Sequence, residues 1–208
     1  MKEKGKFIVF EGIDGSGKST QIRMLSAYLA EKGIRCYETR EPTDSPFGAM
    51  VHSCMTGRIQ TDERAIAALF AADRLDHIFN EINGIKKKLD AGFSVLCDRY
   101  YLSSFAYNGG LVPTEWVIAL NSQAREALRP DLTLFLDVPP EEGMSRVERR
   151  GDKERYEKLG FQRKLRENYF ELFRRFGEEE HVVVVKSEAD KAETQKNVRK
   201  AADELYGF

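Results

Sequence analysis

The chain has 208 residues, with 33 Lys+Arg against 34 Asp+Glu, a formal net charge of −1 and 41% hydrophobic residues, which fits one compact α/β domain and excludes a disordered or fibrous chain. A charge so near zero gives no global footprint for nucleic acid or an anionic membrane, so any anion must be met by a local site. No apolar run approaches the roughly 18 residues of a membrane span, and no secretory leader is read before the first strand, so a cytoplasmic protein with neither membrane nor nucleic-acid partner is expected.

The first predicted element is a β-rich apolar strand over Lys6 to Glu11, running directly into Gly12 and a glycine-containing turn. A helix over Ser19 to Lys32 follows, with Ile22, Leu25 and Leu29 at helical spacing and Gly33 as its stop. A short strand near Ile34 to Glu38 leads to a loop bearing Arg40, Glu41, Pro42 and Pro46, and a short helix spans Phe47 to Met55. Asp62 to Asp90 reads as a long helical region with a break at Asn83-Gly84. Ser94 to Cys97 is a buried-type strand that delivers Asp98-Arg99-Tyr100 at its tip, followed by a loop. Thr114 to Leu128 is helical, Leu132 to Leu136 is a strand ending at Asp137, and Pro139-Pro140-Glu141-Glu142 has the composition of a helix start. A polar stretch over Arg149 to Lys158 precedes a helix over Phe161 to Phe176, a last strand over His181 to Val185 and a polar helix over Glu188 to Leu205. Five strands separated by helices predict an α/β three-layer fold, a mostly parallel five-stranded sheet covered on both faces, with ligands at the strands' carboxyl ends. Residues 1–208 are read as a single domain without repeats or linkers. Cys36, Cys54 and Cys97 are an odd set without metal-ligand spacing and are expected to be reduced.

The sharpest motif is Gly12-Ile-Asp-Gly-Ser-Gly-Lys18-Ser19, a match to G-x-x-x-x-G-K-[ST] between a strand and a helix. Its backbone N–H groups can wrap phosphate oxygens at the positive end of the following helix. Lys18 can bridge the β- and γ-phosphates, and the Ser19 hydroxyl is expected on Mg²⁺. Gly12, Gly15, Ser16, Gly17, Lys18, Ser19 and Thr20 thus form a P-loop for a nucleoside triphosphate. Asp98, at a strand tip beside this loop, is the expected second metal-side residue. Asp137 ends another strand and competes for that role, but ranks lower because Arg99 stands next to Asp98 to meet an anion.

Together with other motifs along the chain, this loop resembles the thymidylate kinase family of P-loop nucleoside monophosphate kinases. The resemblance rests on GIDGSGKST, Arg40-Glu41-Pro42, Phe70 with Arg74, Asp98-Arg99-Tyr100, Ser104-Phe-Ala-Tyr107, Pro130-Asp131-Leu132-Thr133 and a basic segment from Arg149 to Arg155. It implies Mg²⁺-dependent transfer of the ATP γ-phosphoryl group to dTMP, giving dTDP and ADP. By the same resemblance, Phe70 stacks the thymine and Arg74 reaches its carbonyl, the two sharing a helix face at i and i+4. Arg99 reaches the acceptor phosphate, where its forked donors exceed what a lysine offers. Asp14 lies near the sugar 3′-hydroxyl and organises Arg99, Tyr107 disfavours a 2′-hydroxyl, and Ser104 and Asn108 read the base edge. Arg146 joins the donor-nucleotide residues at the start of a basic lid over about 146–158. Ser16 stands where one branch of the family places a catalytic Arg, so lid arginines, Arg150 and Arg155 foremost, are expected to take that part. Asp73 is expected to orient a neighbouring Arg, and His77 is expected on a helix face or an interface.

The chain departs from the family pattern after Pro42, where Thr43-Asp44-Ser45-Pro46 replaces two glycines and the next helix carries no Arg, leaving Arg40 or Arg58 to supply the charge. Asn108 also stands where a longer Gln is common. The alternatives are a related P-loop kinase acting on dUMP, another pyrimidine monophosphate or a deoxynucleoside, or a nucleotide-dependent switch. A homodimer is expected, formed through the helical segments around Phe47 to Met55 and Ala67 to Phe79.

Overall fold

The computed structural model describes residues 4–148, 156 and 158–208. Five strands, β1 (Phe7–Glu11), β2 (Cys36–Arg40), β3 (Ser94–Asp98), β4 (Leu132–Asp137) and β5 (Val182–Lys186), form one sheet in the order β2-β3-β1-β4-β5. Every pairing is parallel, and the register sets Phe10 beside Asp98, Arg40 beside Asp98 and Asp137 beside Lys186. The carboxyl ends of all five strands therefore open on one edge, where Glu11, Arg40 and Asp98 converge.

The core follows from strand alternation. Ile8 and Phe10 point to one face, covered by Ile22, Leu25 and Leu29 of α1 (Lys18–Glu31) and Val198 of α10 (Lys191–Tyr206). Phe7 and Val9 point to the other, where α5 (Tyr101–Asn108) and α9 (Leu159–Phe176) pack Tyr101, Phe105, Leu165 and Tyr169. All of β1 is buried on both sides, so Ile8→Ala would cost about 2–5 kcal/mol. The remaining helices are α2 (Pro46–Met55), α3 (Glu63–Phe79), α4 (Ile85–Asp90), α6 (Thr114–Leu120), α7 (Ser122–Ala127) and α8 (Pro140–Glu148).

Three expectations need correction. The stretch after β3 is the helix α5 rather than a loop; seven of its eight residues are buried, so it lacks the polar face that makes a helix visible in a sequence. The segment predicted as one helix over 114–128 breaks at Asn121, whose side chain donates to the Val117 carbonyl at 2.9 Å and accepts from Arg74. Strand β2 runs two residues later than predicted, so Arg40 closes the strand instead of lying in the loop. Arg149, Arg150, Lys153 and Arg155 lie outside the described residues.

Candidate active site

The glycine-rich loop leaves β1 and enters α1 without interruption. Gly15 has φ +74°, and a Cβ there would lie 2.1 Å from the Gly143 carbonyl oxygen at the start of α8, so both conformation and contact require glycine. The loop's outward carbonyls have partners: Arg146 donates to Gly15 O at 3.3 Å and Ser187 Oγ donates to Ser16 O at 2.9 Å. The Lys18 ammonium folds back over the loop, donating to Gly12 O at 3.1 Å and Ile13 O at 3.2 Å. Burial and then the nearby Arg99 charge push its pKa down to about 8.

Beside the loop, Ser19 Oγ donates to Asp98 Oδ2 at 2.8 Å, while Asp98 Oδ1 is buried with no hydrogen-bond partner among the described residues. A hydroxyl paired with a carboxylate holding one unused buried oxygen is an all-oxygen donor set that suits a hydrated Mg²⁺. Asp137 is not available in the same way, because Arg166 clamps both of its oxygens at 2.6 and 2.8 Å.

The turn after β3 aims Arg99. Its φ of +71° is unusual for a residue with a side chain, and two bonds hold it: Arg99 N–H to Phe10 O at 2.9 Å and Tyr100 N–H to Glu11 Oε1 at 3.0 Å. Glu11 is wholly buried and also accepts from the Ser103 hydroxyl at 2.6 Å and the Tyr169 hydroxyl at 2.8 Å. Burial pushes its carboxyl above the ordinary value, and the Ser103 bond opposes that rise. So held, Arg99 forms an ion pair with Asp14, and the Tyr107 hydroxyl donates to the same Asp14 oxygen at 3.1 Å. Burial alone would raise the Asp14 carboxyl, but the Arg99 and Lys18 charges outweigh it and leave it below the usual range.

Next to this pair lies a cavity lined by Arg40, Phe70, Arg74, Asp98, Arg99, Ser104, Tyr107 and Asn108, residues that the sequence scatters over almost seventy positions. Phe70 packs against Val51, Cys54, Met55 and Ile66, leaving part of its ring on the cavity. Asn108 Nδ2 is buried with no partner among the described residues, an unused donor in the cavity wall. Arg40 is exposed and paired with Asp44 at 2.8 Å, and of the two arginines expected to replace the missing charge it lines the cavity, while the exposed Arg58 does not.

Arg74 is 1% exposed and held in a polar network. It donates to Glu41 Oε2 from Nε at 2.8 Å, to Ser104 Oγ at 3.1 Å and to Asn121 Oδ1. Breaking such a buried pair by removing one partner costs about 3–5 kcal/mol. Its neighbour Asp73 does not orient an Arg as expected. It accepts from Thr43 N–H at 2.8 Å and Ser45 Oγ at 2.9 Å, fastening to α3 the loop where the chain departs from the family pattern. Gly48 lets that loop lie close, since a Cβ there would sit 1.9 Å from Thr43 O. His77 lies on a buried face of α3, 7% exposed and bonded to Glu41 and Thr39.

Sequence reasoning missed four more participants. Glu41 belonged to a recognised motif, but its role as Arg74's counter-ion needed the fold. Tyr156 lines the cavity and stacks on Phe161 with ring centroids 4.9 Å apart. Gln162 is fully buried, accepts from Asp14 N–H at 3.1 Å and donates to Asp14 Oδ2 at 2.7 Å. Glu11 lay in plain view at the end of β1, where a charged residue closing a buried strand was the available signal.

A phosphate-binding loop and an aromatic, arginine-lined cavity thus share one ion pair, as a phosphotransferase with two nucleotide sites requires. The thymidylate kinase family model matches residues 10–205. The chain belongs to the thymidylate kinase family. It is 42% identical over 182 residues to a probable thymidylate kinase of Thermococcus onnurineus, an alignment covering 83% of this chain and 86% of that protein. Thymidylate kinases of Caldicellulosiruptor saccharolyticus and Symbiobacterium thermophilum are 38% and 36% identical over 207 and 204 residues. Those alignments cover 97% and 96% of this chain and 98% and 93% of the relatives.

Proposed function

We propose that the chain transfers the γ-phosphoryl group of ATP to dTMP, giving dTDP and ADP. The observation that carries this reading is the Arg99–Asp14 pair, which stands where the glycine loop and the cavity of Phe70 and Arg74 meet. In the proposed reaction a dTMP phosphate oxygen forms a bond to the γ-phosphorus as the bond from that phosphorus to the bridging β,γ-oxygen breaks. The acceptor oxygen is already anionic, so no general base is needed and the protein's work is positioning and charge neutralisation.

In this reading the loop from Gly12 to Thr20 holds the ATP phosphates, and Lys18 swings from the Gly12 and Ile13 carbonyls to the transferring group. Arg146 braces the loop on the donor side. Ser19 and Asp98 would hold Mg²⁺, which when bound would supply neutralisation of phosphate charge. Arg99 and Arg40 meet the acceptor phosphate, Phe70 stacks the base, and Arg74, Ser104 and Asn108 face its polar edge. Asp14 and Tyr107 border the sugar. Arg150 and Arg155 belong to the basic lid over about 146–158 in a single kinase domain.

Mg²⁺-dependent ADP formation tests this, with dTMP, dUMP, dCMP, UMP, AMP and thymidine as separate acceptors and a no-acceptor control. Turnover dominated by dTMP is expected. Preference for another pyrimidine nucleotide would reassign the base pocket, and ADP formation without an acceptor would replace the kinase reading with an ATPase or switch.

A homodimer in the cytoplasm completes the proposal. Phe47 and Met50 of α2, Phe79 of α3 and Ile82 leave 44%, 48%, 51% and 84% of their surface exposed, large apolar side chains on or beside the two helical segments assigned to the dimer contact. Among the described residues no helix is long and apolar enough to cross a membrane. Light scattering should give twice the 23.8 kDa chain mass; a mass of one chain at micromolar protein would remove the dimer.

A further inference from the structure

The way Glu41 meets Arg74 is unsymmetrical. A carboxylate facing an arginine side-on ordinarily offers one oxygen to Nε and the other to the terminal nitrogen. Here Oε2 alone faces the guanidinium: it accepts from Nε at 2.8 Å and stands 2.7 Å from NH2 as an ion-pair contact. Oε1 is taken up from behind: His77 Nδ1–H donates to it at 3.0 Å, and the Thr39 hydroxyl meets His77 Nε2 at 2.7 Å. On the far edge of the guanidinium, NH1 is held by Ser104 and Asn121. Arg74 hydrogen-bonds through Nε and NH1, and NH2 makes no hydrogen bond among the described residues, so a donor there is left for a ligand. The Glu41 carboxylate is thus held at both oxygens, Oε2 by Arg74 and Oε1 by His77.

We infer that His77, backed by Thr39, is a positioning residue for the acceptor nucleotide: it turns the Glu41 carboxylate so that Arg74 keeps one free donor for the base. The Thr39 hydroxyl can donate to or accept from Nε2, so the arrangement holds with the imidazole neutral or charged. Without His77 the carboxylate is free to rotate into two-oxygen pairing and draw the guanidinium round with it. The chain of contacts runs from a wide groove lined by Thr39 and His77 to the smaller cavity lined by Glu41 and Arg74, so residues 39 and 77 act on a ligand in the cavity they do not line. This rests on dTMP as acceptor.

The test measures the KM of dTMP and of ATP separately, with dTMP binding by calorimetry in the absence of ATP. His77→Ala is expected to raise the dTMP KM and Kd about tenfold while the ATP KM stays within about twofold. His77→Asn, whose amide N–H matches the position of Nδ1–H, should recover most of that loss. In an Arg74→Gln background His77→Ala should have no further effect on dTMP. Equal changes in both KM values, an Asn variant no better than Ala, or full additivity with Arg74→Gln would overturn the inference. Should His77→Ala lose its cooperative melt, Thr39→Val tests the same chain from its outer end: a rise of about two- to threefold in the dTMP KM alone supports it, and an unchanged dTMP KM overturns it. Wild-type protein that ignores dTMP would strike the functional reading instead, and the best acceptor of the panel would then take its place in these measurements.

Discussion

Residues 12 to 20 build the proposed donor loop from one uninterrupted stretch of mainly backbone groups, whereas the proposed acceptor cavity takes Arg40 from β2, Phe70 and Arg74 from α3, and Ser104, Tyr107 and Asn108 from α5 and is walled by side chains. The two regions also differ in what braces them. The loop's carbonyls are capped from outside by Arg146 and Ser187, while two arginines of the cavity wall lean on carboxylates, Arg74 on the buried Glu41 and Arg99 on Asp14. A loop of backbone donors is all-or-none in its response to substitution. A cavity of paired side chains should respond in graded fashion and on one substrate at a time.

Lys18→Ala should show the first behaviour, losing about 10²–10³-fold or more in kcat while its melting curve stays cooperative; near-normal turnover would detach the loop from the chemistry. Arg99→Lys sits at the junction and is expected to lose about 10²-fold in kcat, because an ammonium cannot hold Asp14 and an acceptor phosphate with the same fork. Equal loss in substrate KM values with kcat intact would instead make Arg99 a simple binding residue. Phe70→Ala belongs to the cavity alone: the dTMP KM should rise about tenfold and the ATP KM should stay within about twofold, and parallel rises would blur the separation of the two regions. The smallest effect concerns pH. In the free protein Lys18 loses its proton near pH 8, and phosphate favours the charged form, so ATP affinity should fall as pH rises through that value, to about fourfold weaker at pH 8.5 than at pH 7. Titration calorimetry across that range with Lys18→Arg alongside, in which the inflection should vanish, sharpens the assignment to this residue.

The same contrast explains how much was readable in advance. The loop is contiguous, so its glycines, Lys18 and Ser19 are visible as a string, and the strand and helix on either side follow from their hydrophobic periods. The sheet was legible for the same reason, since buried parallel strands are short apolar runs. Helix α5 was not, because burial on nearly all sides erases the periodic signal, and the break at Asn121 was not, because no Gly or Pro marks it and a contact with Arg74 holds it. Asp73 and His77 sit one residue before and three after Arg74, and their spacing declares that they lie near one another on a helix. It does not declare that the β2–α2 loop lies against them, which is why both were assigned other work. Glu41, Gln162 and Tyr156 act through partners between 33 and 148 positions away in the chain, a distance that only the folded sheet closes.

A glycine-loop backbone turned so that its amides face inward must send its carbonyls outward, and buried carbonyls need partners. Those partners come from Arg146 and Ser187, the second of them some 170 residues along the chain and just past the edge strand. The short string that announces a nucleotide site is therefore not a portable cassette. Excised as a peptide or grafted onto another strand and helix, it would keep every letter of its motif and lose the scaffolding that turns it inside out.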